Sequence, residues 1–335
     1  MSQVLETEPG FVPDITDVGA DAARVAKLAT SADLYRRWER QQWLVAVVDP
    51  ARDRATWDDL RPFVKQQTLN ALAELEIGEV TVTRTLGTLI DNPPTEDDRI
   101  YLCTQLADEA RHVRFFQTYL QEVCGVEAEA GANADSDVAA DYASMFAPAL
   151  TAVTGRLREV GSSPEDWYRA LVYYHLITEG VLAATALRTT RFLARRLELS
   201  ALDEGLTNVT RDESRHVSFG LRAAQDGVAQ GYGQVIKDAH FESIAMAAWV
   251  LIGPARHNPS PAIRMALVSR AAQLQQNVDI AEERLVKQLR LIGMPELADA
   301  ALTAWRQAIV KAIDGYEENW GSPHPIRAAA RIAQN

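Results

Sequence analysis

The chain has 335 residues, 47% of them hydrophobic, with a formal net charge of −12 and a pI near 5.1. That length and apolar content suffice for a large core in one domain or two, and the acidic balance excludes a surface built for nucleic acid or acidic membrane. Cys103 and Cys124 make no disulfide framework, the first eight residues lack a secretory leader, and no continuous apolar run reaches the roughly 18 residues of a membrane span, so a cytoplasmic protein is expected.

Residues 1–30 mix Pro9, Gly10, Pro13 and Gly19 with scattered acids and read as a loosely ordered arm, with a short helix over 20–28. The next segment, 34–43, is dense in aromatics at helical spacing, and Trp38, Trp43 and Trp57 are expected to pack over a helical bundle formed by the rest of the chain. Pro62 suits the first turn of a helix that runs to residue 90 and is stopped by Asp91, Asn92, Pro93 and Pro94. Thr95 caps a second helix that fades near Gly125, and 125–137 is a small acidic loop. A helix over 148–158 precedes the reset at Ser163 and Pro164, from which a third long helix runs past Glu179. A break at 197–204, with Ser200 as cap, introduces a fourth that ends near residue 229 among Gly227, Gly231 and Gly233. Further helices are expected over 235–252, 262–292 and 296–320, then a loose tail from 323. Strand signals are nearly absent, so the fold class is all-α, with one helical domain over 31–322.

Two pentapeptides carry the chemistry. Asp-Glu-Ala-Arg-His at 108–112 returns as Asp-Glu-Ser-Arg-His at 212–216. Residues three apart share a helix face, so Glu109 points with His112 and Glu213 with His216. A dinuclear carboxylate site in a four-helix bundle needs one more carboxylate from each of two further helices. Glu179, the lone acid of an apolar run, lies 34 residues before Glu213; Glu79 lies 30 before Glu109 and is chosen over its neighbours Glu76 and Glu74. Four carboxylates and two imidazoles suit Fe or Mn better than Cu(I) or a thiolate-bound zinc, and neutralise two divalent ions. Asp108 and Asp212 either accept a hydrogen bond from a ligand histidine's second nitrogen or pair with Arg111 and Arg215.

These residues resemble the ferritin-like superfamily of dinuclear carboxylate proteins. The likeness is to the ribonucleotide reductase small subunit and, within that group, to its ligand-binding oxidase relatives. Ile-Gly-Glu-Val-Thr-Val-Thr at 77–83 and Tyr-His-Leu-Ile-Thr-Glu-Gly-Val-Leu at 174–182 carry the likeness together with the two pentapeptides. The resemblance implies a ferritin-like four-helix bundle with added N- and C-terminal helices, a Mn/Fe or Fe/Fe centre, O2 as co-substrate and a fatty-acid-like hydrophobic ligand. It also implies a homodimer, an electron-donor protein and an ether crosslink between Val82 and Tyr174. The implied activity is a two-electron oxidation. Alternatives are a radical-storing reductase subunit, a multicomponent monooxygenase hydroxylase subunit, or a non-enzymatic ferritin-like iron protein. At the position where reductase subunits carry their radical tyrosine, this chain has Phe116.

Overall fold

A computed structural model describes residues 28–126, 146–252 and 271–333, and among them the secondary structure is helical, without strands. All but the last residue of the expected helix over 20–28, and most of the 125–137 loop, fall outside the described residues. Four long helices form the centre: α3 (Pro62–Asp91), α4 (Glu96–Glu122), α6 (Pro164–Arg196) and α7 (Ser200–Gly227). Short α1 (Ser31–Arg40), α2 (Ala51–Asp59) and α5 (Ala147–Gly155) pack on the bundle's outside. Helices α8 (Gly233–Ile252), α9 (Ala271–Leu291), α10 (Ala298–Trp320) and α11 (Pro325–Ala333) add an outer layer, of which α8 and α9 pack on α6.

Local chemistry explains the bundle's register. Pro62 opens α3, where its missing N–H costs nothing. Thr95 Oγ1 accepts from the Asp98 N–H to start α4, and Ser163 with Asp166 closes a capping box ahead of Pro164. On α3 the buried positions Leu72, Leu75, Glu76, Glu79, Val82, Leu86 and Leu89 recur every three or four residues, as one helix face requires. On α4 the same stripe runs Tyr101, Gln105, Glu109, His112, Phe116 and Tyr119 to Leu120. The connections 92–95 and 197–199 are short, so α3 returns antiparallel as α4, and α6 as α7. Both expected pairs therefore bring their acids to one depth of the bundle.

By length and composition α6 could cross a membrane, but 89% of its most apolar stretch is buried inside the protein, as in a core helix. Its middle, Val172–Ala183, is wound as a π-helix. Two expectations are corrected. Residues 325–333 form a helix where a loose tail was expected; Arg327 pairs with Glu317 and Asp314, and buried His324 lies 3.0 Å from the Ile252 carbonyl.

Ser200 is not the cap of α7 but its first residue, and Leu199 at the N-cap makes no side-chain bond. The cap comes from α2, 147 residues away, where buried Asp53 accepts from the Ala201 and Leu202 N–H groups at 2.9 Å each and from the Ser200 hydroxyl at 3.3 Å. The Tyr119 hydroxyl also donates to it at 2.8 Å. Asp53→Ala leaves those donors buried and is expected to cost about 3 kcal/mol in denaturant unfolding. An unchanged midpoint would show that the clasp contributes nothing.

Candidate metal centre

The four central helices bring all six sequence-predicted ligands together. Glu79 comes from α3, Glu109 and His112 from α4, Glu179 from α6, and Glu213 and His216 from α7; none is more than 6% exposed. Two donor groups result, each with its atoms within 4.8 Å of one another: Glu79, Glu109, His112 and Glu213, and then Glu109, Glu179 and His216. Glu109 belongs to both. Glu79 Oε2 lies 3.3 Å from His112 Nδ1, while Glu76, one turn back, joins neither group.

The geometry separates shared carboxylates from terminal ones. Glu109 turns one oxygen to each imidazole, Oε2 lying 3.5 Å from His112 Nδ1 and Oε1 3.3 Å from His216 Nδ1. Glu213 Oε1 lies 3.4 Å from both nitrogens. Glu79 sits on the His112 side and Glu179 on the His216 side, 3.9 Å from that imidazole. Two equivalent halves are thus joined by two carboxylates, with the imidazole rings 6.0 Å apart.

Both histidines present Nδ1 to the carboxylates because Nε2 is engaged elsewhere, and the engagement is crossed. His112 Nε2 lies 3.3 Å from Asp212, in the other pentapeptide, and His216 Nε2 lies 3.3 Å from Asp108. Each aspartate also pairs with arginine. Buried Arg215 reaches Asp108 at 2.9 Å and Asp212 at 2.6 Å, and Arg111 pairs with Asp108.

The same arginines pin the segment after α1. Arg215 donates to the Gln41 side chain, and Arg111 to the Trp43 carbonyl with its guanidinium over the Trp43 ring. Trp38 and Trp43 do more than pack. The Trp38 indole N–H donates to Asp108 at 2.9 Å and that of Trp43 to Asp212 at 2.7 Å. Sequence reasoning missed these bonds, and missed Gln105, which donates 2.8 Å to Glu179; its place one turn before Glu109 was the available signal.

The residues fit a pair of cations. One oxygen each of Glu109, Glu179 and Glu213 is buried without a hydrogen bond, a costly state for a carboxylate lacking a counter-charge. The six carboxylates carry six negative charges against the two positive ones of Arg111 and Arg215, which pair with Asp108 and Asp212, so with neutral imidazoles four remain, which two divalent ions balance. Burial pushes the Glu79 carboxyl up to about 8, although His112 pulls the other way, and burial together with Glu213 raises Glu179 well above the usual range. Burial acts the same way on Glu109, but the adjacent His112 and His216 outweigh it and hold that carboxyl low. Protons and divalent cations therefore compete for the same oxygens.

The two residues of the expected crosslink stand on α3 and α6. Val82 is buried one turn after Glu79, and the Tyr174 hydroxyl lies 3.5 Å from Glu109 Oε1. Winding that closes each turn on residue i+5 stacks Tyr174 near Glu179, five positions on, as an ordinary α-helix would not.

Comparison with known proteins agrees with this geometry. Residues 26–246 match the family model for the ribonucleotide reductase small chain. Among solved structures, an R2-like ligand-binding oxidase from Sulfolobus acidocaldarius matches with a TM-score of 0.64 at 22% identity, over 85% of this chain and 98% of that one. A point variant of an R2-like ligand-binding oxidase with anaerobically reconstituted Mn/Fe cofactor matches with a TM-score of 0.61 at 23% identity, over 78% and 91%. Another, with aerobically reconstituted Mn/Fe cofactor, gives 0.58 at 21% over 86% and 92%. These likenesses show a shared all-helical fold.

Proposed function

The chain belongs to the ribonucleotide reductase small-chain family, and within it we propose that this protein is an O2-activating oxidase or monooxygenase. It carries out a two-electron oxidation of a hydrophobic small molecule at a Mn/Fe or Fe/Fe pair. The observation that carries this reading is the sharing of Glu109 and Glu213 between two imidazoles, which makes the site dinuclear in design. When bound, such a pair supplies O2 activation. His112 and His216 would each hold one ion through Nδ1, Glu79 and Glu179 would hold the outer faces, and Asp108 and Asp212 keep each Nε2 protonated by accepting from it. The Mn/Fe assignment rests on the cofactor named for similar structures and on the oxygen-rich donor set.

Substrate oxidation is favoured over radical storage by Phe116, a fully buried ring that offers no phenol to oxidise. One observation supports the storage reading instead: Trp43, Asp212 and His112 form a hydrogen-bonded chain from the segment after α1 to the centre. A homodimer, a fatty-acid-like ligand, an electron-donor protein and a cytoplasmic location belong to this proposal as properties that the resemblance implies.

The Val82–Tyr174 ether belongs to the same reading. Its formation takes one hydrogen from the Val82 side chain and one from the Tyr174 hydroxyl, joins carbon to oxygen, and passes two electrons and two protons to O2. Protein loaded anaerobically with Mn(II) and Fe(II) and then given O2 is expected to consume O2 and to lose the mass of two hydrogens, with a linked peptide pair. Zinc-loaded protein should show neither. Unlinked peptides after O2 consumption would remove the crosslink; no O2 consumption by protein holding two ions would remove the oxidase reading.

A further inference from the structure

Gln105 is fully buried on α4, one turn before Glu109. Its Nε2 lies 2.8 Å from Glu179 Oε1 and 3.3 Å from Glu109 Oε1, and its Oε1 lies 3.0 Å from His175 Nε2. An amide nitrogen only donates and an amide oxygen only accepts. Turning the amide over would set its oxygen against two carboxylate oxygens, so the nitrogen faces the ligands and His175 Nε2 must carry the proton that Gln105 Oε1 accepts.

The histidine in turn is fixed by packing. Its ring lies 4.7 Å from that of Tyr174 and 5.2 Å from that of Phe219. The backbone of α7 passes so close at Gly220 that a Cβ there would stand 2.3 Å from His175 Cβ. His175 is therefore a rigid donor, whereas Gln105 is a flexible arm that would otherwise sample several rotamers. Glu179 gains from this in particular: it sits in the π-helical stretch, and its second oxygen makes no hydrogen bond.

We propose that His175 and Gln105 form a positioning relay: His175 fixes the Gln105 amide, and the amide fixes Glu179, and more weakly Glu109, in the orientation that retains the ion on the His216 side. Neither residue belongs to either donor group, and the relay rests on the dinuclear reading of the site. Its signature is non-additivity. Once Gln105 is gone, His175 has nothing to hold, so the pair must behave as one unit.

The test is the rate at which iron-loaded protein surrenders metal to a chelator, read together with the Mössbauer signals of the two irons and the melting temperature of the metal-free chain. Gln105→Leu is expected to speed release of one ion roughly 10- to 100-fold and to shift one iron's signal while leaving the other in place. His175→Phe should act in the same direction, and the double variant should release no faster than Gln105→Leu alone. His175→Gln, which can still offer an N–H at the same reach, should keep release slow. Additive effects of the two substitutions, or a His175→Gln protein as fast as His175→Phe, would overturn the relay and leave His175 a packing residue. Wild-type protein that holds two ions and loses them no more slowly than the variants would also overturn it, with the dinuclear reading intact. Wild-type protein that holds no metal would overturn both.

Discussion

Replacing Glu109 with alanine is expected to reduce bound metal from two ions per chain to fewer than one and to bring O2 consumption to background. Glu109 alone gives a separate oxygen to each imidazole, and it is the one residue common to both donor groups. Its removal takes a ligand from each half and one of four charges that the ions must balance. Glu79→Ala or Glu179→Ala, by contrast, strips one half only and should leave an ion in the other. The metal-free Glu109→Ala chain should fold at least as well as the parent, because burying one carboxylate fewer relieves repulsion among like charges. Metal analysis of the purified variant after loading, with a melting curve of the metal-free form, checks both halves of the expectation. Two ions per chain in Glu109→Ala would mean that the carboxylate is not shared.

The second large effect falls on stability. Arg215 is 1% exposed, and its guanidinium spans Asp108 and Asp212 while also reaching Gln41. Truncation to alanine leaves two buried aspartates with Arg111 as their remaining arginine partner among the described residues, and breaking a buried pair in this way costs about 3–5 kcal/mol. Arg215→Lys should recover little, since a single ammonium cannot reproduce a planar fork that serves two carboxylates and an amide at once. Because each aspartate lies 3.3 Å from Nε2 of a histidine proposed as a ligand, both variants should also bind metal less tightly. Denaturant unfolding of the metal-free and metal-loaded forms separates the two effects. A loss below about 1 kcal/mol would indicate that water reaches these aspartates and that the pair is not truly buried.

Much of the centre could be read before the fold was known, because a helix converts sequence spacing into direction. The Glu-x-x-His pairs at 109 and 213 needed only the three-residue periodicity, and the 30-odd residues back to Glu79 and Glu179 needed only one helix, a turn and a return. Glu79 was harder, since Glu76 lies on nearly the same face; of the two, it is Glu79 that stands 3.3 Å from His112.

What stayed hidden depends on contacts that no local pattern encodes. The crossing of Asp108 to His216 and Asp212 to His112 links residues at least 100 positions apart. The Trp38 and Trp43 indoles find their aspartates only because α1 and the segment after it are folded back over the two pentapeptides. Asp53 caps a helix on another part of the chain, so Ser200, at the right place in sequence, was the natural but mistaken choice. Gln105 went unseen because an uncharged amide carries no ligand signature. The π-helix over Val172–Ala183 has no marker in composition, and without it the place of Tyr174 beside the carboxylates would not follow.

Anomalous scattering from crystals of the full chain, purified without added metal and measured across the manganese and iron edges, addresses the central claim. Two peaks are expected, one beside His112 Nδ1 and Glu79 and the other beside His216 Nδ1 and Glu179, with Glu109 and Glu213 between them. A single peak, or none after soaking in Fe(II) and Mn(II), would contradict a dinuclear centre built from these six side chains.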